Sequence, residues 1–350
     1  MCNNKKIFMT TGGGVGDLIM FTPALKKLKE MYPTCKITVM TIDKTVDVIN
    51  RIPYIDKVVC IKRGKFLGRY RILPDLWRQD AVVFTDWQPH ILPFAWLFRI
   101  KIRAGIPRKG KILTKCLTHQ LVNNVFKSTR YAAETNAMIF SEALDIHLNG
   151  DMTHCDVSIP DLETQNEVDV LLKSIGVSPK EPFILLTPFT GLEQRNWPVQ
   201  EIIKLLELIK SRYDIPVVIT GQTKSGQEKI PKSIPYNLFN RTTILQLIEL
   251  IRRASCVITP DSGPMHIAGA LNTFVIPLFS KDLPSRWAPK HRCTPIYLNY
   301  DCSPCDDQTA KACETVKCMR NITAQMVFEQ LVKDNRQYHL FTMNGRKIYE

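Results

Sequence analysis

What most constrains this chain is a rhythm: short, wholly apolar stretches alternate with amphipathic ones, and the alternation occurs twice. In the first half, residues 6–11, 36–42, 57–61 and 81–85 predict strands, and 17–31 and 132–144 predict helices. In the second half, strands are expected at 183–187, 216–220, 256–259 and 273–279, with helices at 199–213, 243–253, 265–271 and 322–333. Strands that are apolar along their whole length are buried on both faces, which calls for parallel sheets covered by helices. The 350 residues suit two such domains at ~150 residues each. A polar stretch with Pro160, Pro179 and Pro182 divides them. The expected organisation is an α/β chain of two doubly wound domains with an interdomain cleft. The first spans 1–160, a linker with one helix (167–174) spans 161–182, and the second domain spans 183–335. In the tail, 336–350, two half-apolar runs about Asn344-Gly345 predict a hairpin. In such folds ligands sit at the carboxyl ends of the strands, so the loops there carry the chemistry.

Composition narrows the classes. The chain is 45% hydrophobic and 23% charged, which excludes disordered, collagen-like and coiled-coil proteins. The longest clean apolar run, 91–98, holds eight residues and contains Pro93, far short of the ~18 needed to cross a bilayer. The N-terminus has no long apolar core with a small-residue cleavage site, so a cytosolic chain is expected. The net charge of +14 is concentrated: between Lys62 and Arg130 fifteen Lys or Arg face three acids, Asp75, Asp80 and Asp86. Trp77, Trp87, Phe94, Trp96 and Phe98 share that stretch. A solvated basic face, an anionic membrane surface, a phosphorylated substrate and single-stranded nucleic acid all fit such a mixture. No nucleic-acid-binding motif accompanies it, so nucleic acid is not an expected partner.

Three strand-end loops concentrate small and polar residues. The first strand runs into Thr10-Thr11-Gly12-Gly13-Gly14-Val15-Gly16-Asp17. Glycines at a strand-to-helix turn allow close approach of a ligand, and the helix start attracts negative charge. The spacing is neither a dinucleotide fingerprint nor a Walker loop. Asp17 either caps the helix or serves as a general base, and it is the only acid in that loop. In the second half, Thr187-Pro188 leads to Thr190-Gly191 and Arg195-Asn196-Trp197-Pro198, where Arg195 either sits on the surface or meets a diphosphate. Asp261-Ser262-Gly263-Pro264-Met265-His266 then joins a strand to a helix. Asp261 and Ser262 either cap that helix or belong to a phosphate cradle, and His266 is either a core histidine or part of that cradle.

Eleven cysteines in a cytosolic chain argue against disulfides. Cys2, Cys35, Cys60, Cys116, Cys155, Cys256 and Cys293 are scattered, and most suit buried free thiols. Cys302, Cys305, Cys313 and Cys318 are bunched with the spacing C-x2-C-x7-C-x4-C. Four thiolates at this spacing can close a tetrahedral shell around structural zinc or iron.

Together these residues resemble glycosyltransferase family 9, the heptosyltransferases of lipopolysaccharide core assembly. The opening at 14–33 is similar to the family's G-D-x-x-x-x-T-P-x-L-x-x-L, Arg195-Asn196-Trp197-Pro198 to its K-x-W-P, and 261–271 to its D-S-G-x-x-H-x-A-A-A-L. The resemblance implies a GT-B fold of two Rossmann-like domains and inverting transfer of heptose from ADP-heptose. It makes Asp17 the catalytic base and assigns donor binding to Thr187, Arg195, Asp261, Ser262, Gly263, Met265 and His266. Arg195 stands where the family usually has lysine, which keeps the charge and changes the donor geometry. Near Gly221 the family has an acid that holds the nucleoside; Gln222-Thr223-Lys224 departs from it, with Glu228 the nearest acid. Arg195 and the amides of 263–265 are expected to stabilise the departing ADP without a catalytic metal, since no D-x-D motif is present. Acceptor binding falls to Gly14, Gly16, Lys62, Arg63, Lys65 and Arg69. The acceptor expected is an acidic, phosphorylated inner-core glycolipid, met from a peripheral position on the inner membrane's cytoplasmic face. The cysteine cluster also resembles the iron-binding finger of autotransporter heptosyltransferases, which makes a protein O-heptosyltransferase the alternative. A non-catalytic nucleotide- or nucleic-acid-binding module is the alternative outside enzymes. No feature assigns an oligomeric state.

Overall fold

The computed structural model describes residues 3–61, 67–108, 110–121, 129–222, 231 and 234–342. The chain divides into two units, Met1–Ile159 and Pro160–Glu350.

In the first unit six strands run parallel: β1 (Lys6–Thr10), β2 (Lys36–Ile42), β3 (Lys57–Ile61), β4 (Ala81–Phe84), β5 (Ile102–Gly105) and β6 (His119–Gln120). Their order is β3-β2-β1-β4-β5-β6. The chain thus winds outward from β1 on one side and restarts at β4 on the other, with Thr10 level with Phe84. Helix α1 (Val15–Met31) packs on α2 (Ala132–Leu144) through the Phe21 and Phe140 rings, edge to face at 6.1 Å. Asn136 Nδ2 donates to Met20 O at 3.0 Å, satisfying a buried amide. Residues beyond 150 close back on this unit: Asp156 N–H donates to Thr22 Oγ1 and Ser158 N–H to Val48 O, both at 2.8 Å.

The second unit has five parallel strands: β7 (Ile184–Leu186), β8 (Val217–Ile219), β9 (Cys256–Pro260), β10 (Val275–Phe279) and β11 (Ile296–Tyr297), ordered β11-β10-β9-β7-β8. Its longer helices are α3 (Leu162–Ser174), α4 (Val199–Arg212), α5 (Ile244–Arg253), α6 (Gly263–Ala270) and α7 (Ala324–Tyr338). Residues 161–182, expected as a linker, fold with this unit. Asp161 caps α3 by accepting from Thr164 N at 3.0 Å. Gln246 Nε2 reaches Glu167 at 3.0 Å, and Arg253 bonds Gln165 O at 3.0 Å and the Asp169 carboxylate. Trp197 is 1% exposed, and its Nε1 donates to Ile322 O at 2.9 Å. It therefore anchors the loop after β7 to the start of α7. Tyr338 is helical, where the sequence suggested the first run of a hairpin. Its ring lies 4.8 Å from that of Phe274, and Phe341 is buried against Tyr213. Apolar packing of α7 on this core overrides the alternation read from the tail. The rest of the expected hairpin, 343–350, lies outside the described residues.

Candidate functional site

Each sheet has one place where neighbouring strands lead their chains to opposite sides, and there the strand ends leave room for a ligand. In the second unit that place is the end of β7 beside the end of β9, where Leu186 is level with Ile258. Thr187 follows the first strand and Asp261 the second. Arg195 arrives from the short turn Glu193–Arg195. Its Nη1 donates to Asp261 O at 2.9 Å and lies 3.7 Å from Asp261 Oδ2, while Nη2 donates to Asp282 Oδ2 at 2.6 Å. Lys281 Nζ stands 3.0 Å from the same Asp282 oxygen. The sequence reading missed Lys281 and Asp282, although the signal was available: they directly follow Ser280 at the end of a predicted strand.

Burial dominates the electrostatics of this pocket. It pushes the Asp261 carboxyl up to about 7; Arg195 opposes the shift and Asp282 adds to it. It pulls His266 down to about 4, helped by the Arg195 charge, so the imidazole is neutral. Thr187 Oγ1, Arg195 Nε and His266 Nδ1 are all shut off from solvent without a hydrogen-bond partner. An unmet buried polar atom costs roughly 1–3 kcal/mol, and three such atoms in the loops after β7 and β9 make these strand ends the candidate place for a polar ligand. Ser262 makes no side-chain cap on α6; its hydroxyl turns back to Pro260 O at 3.1 Å. The expected amide cradle of 263–265 is smaller than the sequence suggested. Met265 N–H is spent on Ser262 O at 3.1 Å and Pro264 has none, so the contribution reduces to Gly263. Residues 223–230, with Thr223, Lys224 and Glu228, lie outside the described residues.

In the first unit the corresponding place is the end of β1 beside the end of β4. Gly13 adopts φ +86°, and a Cβ there would stand 2.6 Å from Ile42. Asp17 lies in the first turn of α1, where the helix's positive end favours a negative charge. Its carboxylate folds over Gly14 so closely that a Cβ on Gly14 would be 2.5 Å from Oδ2. Asp17 is the only acid in the loop's own sequence, and a second acid reaches the turn from another loop. Asp86, just beyond β4, brings Oδ2 within 3.3 Å of a Cβ placed on Gly12. Burial raises the Asp86 carboxyl, with Gln88, Thr10 and Arg108 pulling the other way. Sheet pairing, invisible in local sequence, carries Asp86 there. Among the expected acceptor residues Gly14 and Gly16 line this turn, whereas Lys62, Arg63 and Lys65 lie outside the described residues. Arg69 is in the short 3-10 helix Leu67–Ile72, its side chain likewise outside the description.

Cys302, Cys305, Cys313 and Cys318 line one cavity of about 70 Å³, shared with Arg195 and Lys281. Burial raises the Cys318 thiol, and the other three sulfurs add to the shift. Val316, at φ +45°, holds a conformation costly for a β-branched residue and aims its N–H at Cys313 Sγ, 3.4 Å away. No three of the four sulfurs lie within 4.8 Å of one another. Four soft donors around one small cavity are the ligand type that zinc or iron takes, at a spacing wider than a closed shell. The cysteine segment is tied to the residues just past β10: Cys305 N–H donates to Lys281 O at 2.9 Å and Ser303 Oγ to Ser280 O at 2.6 Å.

Comparison with known proteins agrees with this arrangement. The family model described as "Glycosyltransferase family 9 (heptosyltransferase)" matches residues 89–315. Lipooligosaccharide heptosyltransferase 2 of Haemophilus ducreyi is 26% identical over 290 residues, covering 76% of this chain and 80% of that protein. The structure of E. coli ADP-heptose lps heptosyltransferase II superposes with a TM-score of 0.72 at 20% identity, covering 95% of this chain and 99% of that one. TibC of enterotoxigenic E. coli, an iron-containing dodecameric glycosyltransferase, superposes with a TM-score of 0.62 at 15% identity over 96% of this chain and 77% of its own. The fold shared with these structures is GT-B.

Proposed function

This chain belongs to glycosyltransferase family 9, and from that premise we propose that it moves heptose from ADP-heptose, with inversion, onto an acidic glycolipid of the lipopolysaccharide inner core. The observation that supports the reading is the placement of Thr187, Arg195, Asp261 and His266 in the loops at the paired ends of β7 and β9, with three of their polar atoms unpartnered. Arg195 is preset by Asp282 and the Asp261 carbonyl. With Lys281 and Gly263 N–H it meets the diphosphate, whose charge grows as the anomeric C–O bond breaks, so these groups bind the transition state better than the ground state. An acceptor hydroxyl is a weak nucleophile, and Asp17 takes its proton as the new bond forms. No step calls for a divalent metal. The four cysteines would hold zinc or iron in a closed, structural shell that stiffens the segment bearing Lys281.

The acceptor's membrane setting has support in the first unit. Trp77, Trp96 and Leu97 are exposed at 52%, 57% and 61%, within the stretch richest in Lys and Arg. Aromatic groups beside cations suit the surface of an anionic cytoplasmic leaflet. Among the described residues no helix is long and apolar enough to cross a membrane. A second reading, transfer to a protein acceptor, is favoured by the cysteine cavity and the likeness to iron-containing TibC. The test is mass spectrometry after incubation with ADP-heptose and either truncated inner-core glycolipid or autotransporter protein. A gain of one heptosyl residue on the glycolipid supports the first reading, and on the protein alone the second. No gain on either, with ADP still bound, leaves a nucleotide-binding module.

A further inference from the structure

In the second unit a groove of about 500 Å³ lies between the end of α4 and one face of α7, within the ~300–1,000 Å³ typical of small-molecule sites. The α7 residues that line it recur three and four apart from 325 to 336, the spacing of a single helix face. Phe328 and Val332, each 9% exposed, give it an apolar floor. Arg212, Lys333 and Arg336 bring three cations, and among the described residues none of the three has an ion-pair partner. The acid beside them, Glu329, accepts from Gln325 Nε2 at 2.8 Å. The Arg212 guanidinium lies 5.7 Å from the centre of the Tyr213 ring, and its Nε is shut off from solvent without a hydrogen-bond partner.

Cations in the last turn of a helix answer its negative end, which accounts for Arg212 and Arg336 taken singly. It accounts neither for Lys333, outside that turn, nor for three unpaired cations beside an apolar floor. Three cations and one acid leave a net of two positive charges on the groove. A phosphomonoester, at about −1.5 to −2, matches that charge where a carboxylate supplies half of it. A guanidinium grips phosphate with two parallel bonds, and an anion here supplies the acceptor that Arg212 Nε lacks. We propose that this groove binds a small phosphomonoester with an apolar or aromatic group, its phosphate held by Arg212, Lys333 and Arg336 and its apolar part resting on Phe328 and Val332. Soluble phosphorylated molecules and phosphomonoester lipid headgroups share this chemistry. None of these residues belongs to the glycine turn or to the loops after β7 and β9, so the groove stands apart from the transferase reading.

The test uses the full chain and three probes, phenyl phosphate, phenyl sulfate and phenol, with binding followed by saturation-transfer NMR. ADP-heptose is present throughout to fill the donor pocket; both its phosphates are esterified, so it leaves a phosphomonoester site open. The wild-type chain is expected to bind phenyl phosphate about tenfold or more tighter than phenol, the worth of one charge-assisted hydrogen bond. Phenyl sulfate, with one negative charge, should fall between them. Lys333→Ala combined with Arg336→Ala should weaken phenyl phosphate about tenfold or more and leave phenol unchanged. Both side chains are exposed and alanine is the best helix former, so an unchanged melting temperature is expected. Arg212→Ala should act in the same way, and if that chain melts early the double variant carries the test. Phenyl phosphate bound no tighter than phenol, or bound undiminished by the double variant, overturns the site. Phosphatidylcholine vesicles containing phosphatidic acid separate the two sources. Binding lost in the double variant assigns the phosphate to a lipid headgroup, and binding equal in both chains assigns it to a soluble molecule. Absence of heptose transfer would overturn the transferase reading and leave this site standing.

Discussion

Replacing Gly14 by alanine separates folding from catalysis at a single methyl group. Gly14 has φ −72° and ψ 137°, an ordinary conformation for any residue, so alanine fits the backbone without strain. Its Cβ, however, would stand 2.5 Å from Asp17 Oδ2, where ordinary contacts begin near 3.4 Å. The carboxylate must therefore retreat by about 0.9 Å or swing to another rotamer. The atom that must move is the far end of a side chain, and the rotamer shift itself costs roughly 0.5–1.5 kcal/mol. Alanine returns about 0.4–1 kcal/mol by restricting the unfolded chain. These nearly cancel, and at ~2–4 °C per kcal/mol the melting temperature should move only a few degrees. A base displaced by about 1 Å from a reacting hydroxyl loses on the order of 100-fold in rate. Heptose transfer measured at saturating donor and acceptor should thus fall about 100-fold, with ADP affinity and melting temperature close to wild type. A Gly14→Ala chain that transfers at the wild-type rate would refute the claim that Asp17's position governs the chemistry.

Three further outcomes follow from the second unit and the basic face. Between about pH 4 and 6.5, folded Asp261 keeps a proton that the unfolded chain gives up, so its contribution to stability falls as pH rises; His266, neutral when folded, contributes the opposite slope. Asp261→Asn should therefore gain stability relative to wild type as pH rises through that window, and a flat difference between their melting temperatures would contradict the buried environment. Cys305→Ser should lower bound metal and melting temperature together, whereas full metal content in that variant would remove the cysteine site. Trp96→Glu with Leu97→Glu should weaken binding to anionic vesicles about tenfold or more while leaving the melting temperature nearly unchanged, as both side chains are exposed. Undiminished vesicle binding would dismiss the membrane face.

The features that local sequence carries were legible: fully apolar strands, the glycine turn, Thr187, and the Asp261–His266 loop with its helix. What escaped depends on strands meeting across distance. Asp86 entered the sequence reading only as one of three acids in a basic stretch, because nothing near it says that β4 will pair with β1 and set it against Gly12. Lys281 and Asp282 join the candidate site only through Arg195, far earlier in the chain, whose Nη2 reaches Asp282. Strands β6 and β11 have two residues each and no pattern to read, and β5, Ile-Arg-Ala-Gly, carries an arginine and a glycine that disguise it. The four cysteines were legible as a set, but their junction with Lys281 was not. It depends on Cys305 N–H and Ser303 Oγ reaching the backbone just past β10.

The central claim is that a carboxylate in the glycine turn takes the acceptor's proton while a separate pocket holds the nucleotide. Its most direct test is the paired measurement of heptose transfer and ADP affinity in Asp17→Asn. The account predicts a rate lower by about 10²–10⁴-fold, the worth of a general base, with ADP bound as tightly as by the wild type. A rate within a few-fold of wild type, or a loss of ADP binding that accounts for the whole defect, would contradict it.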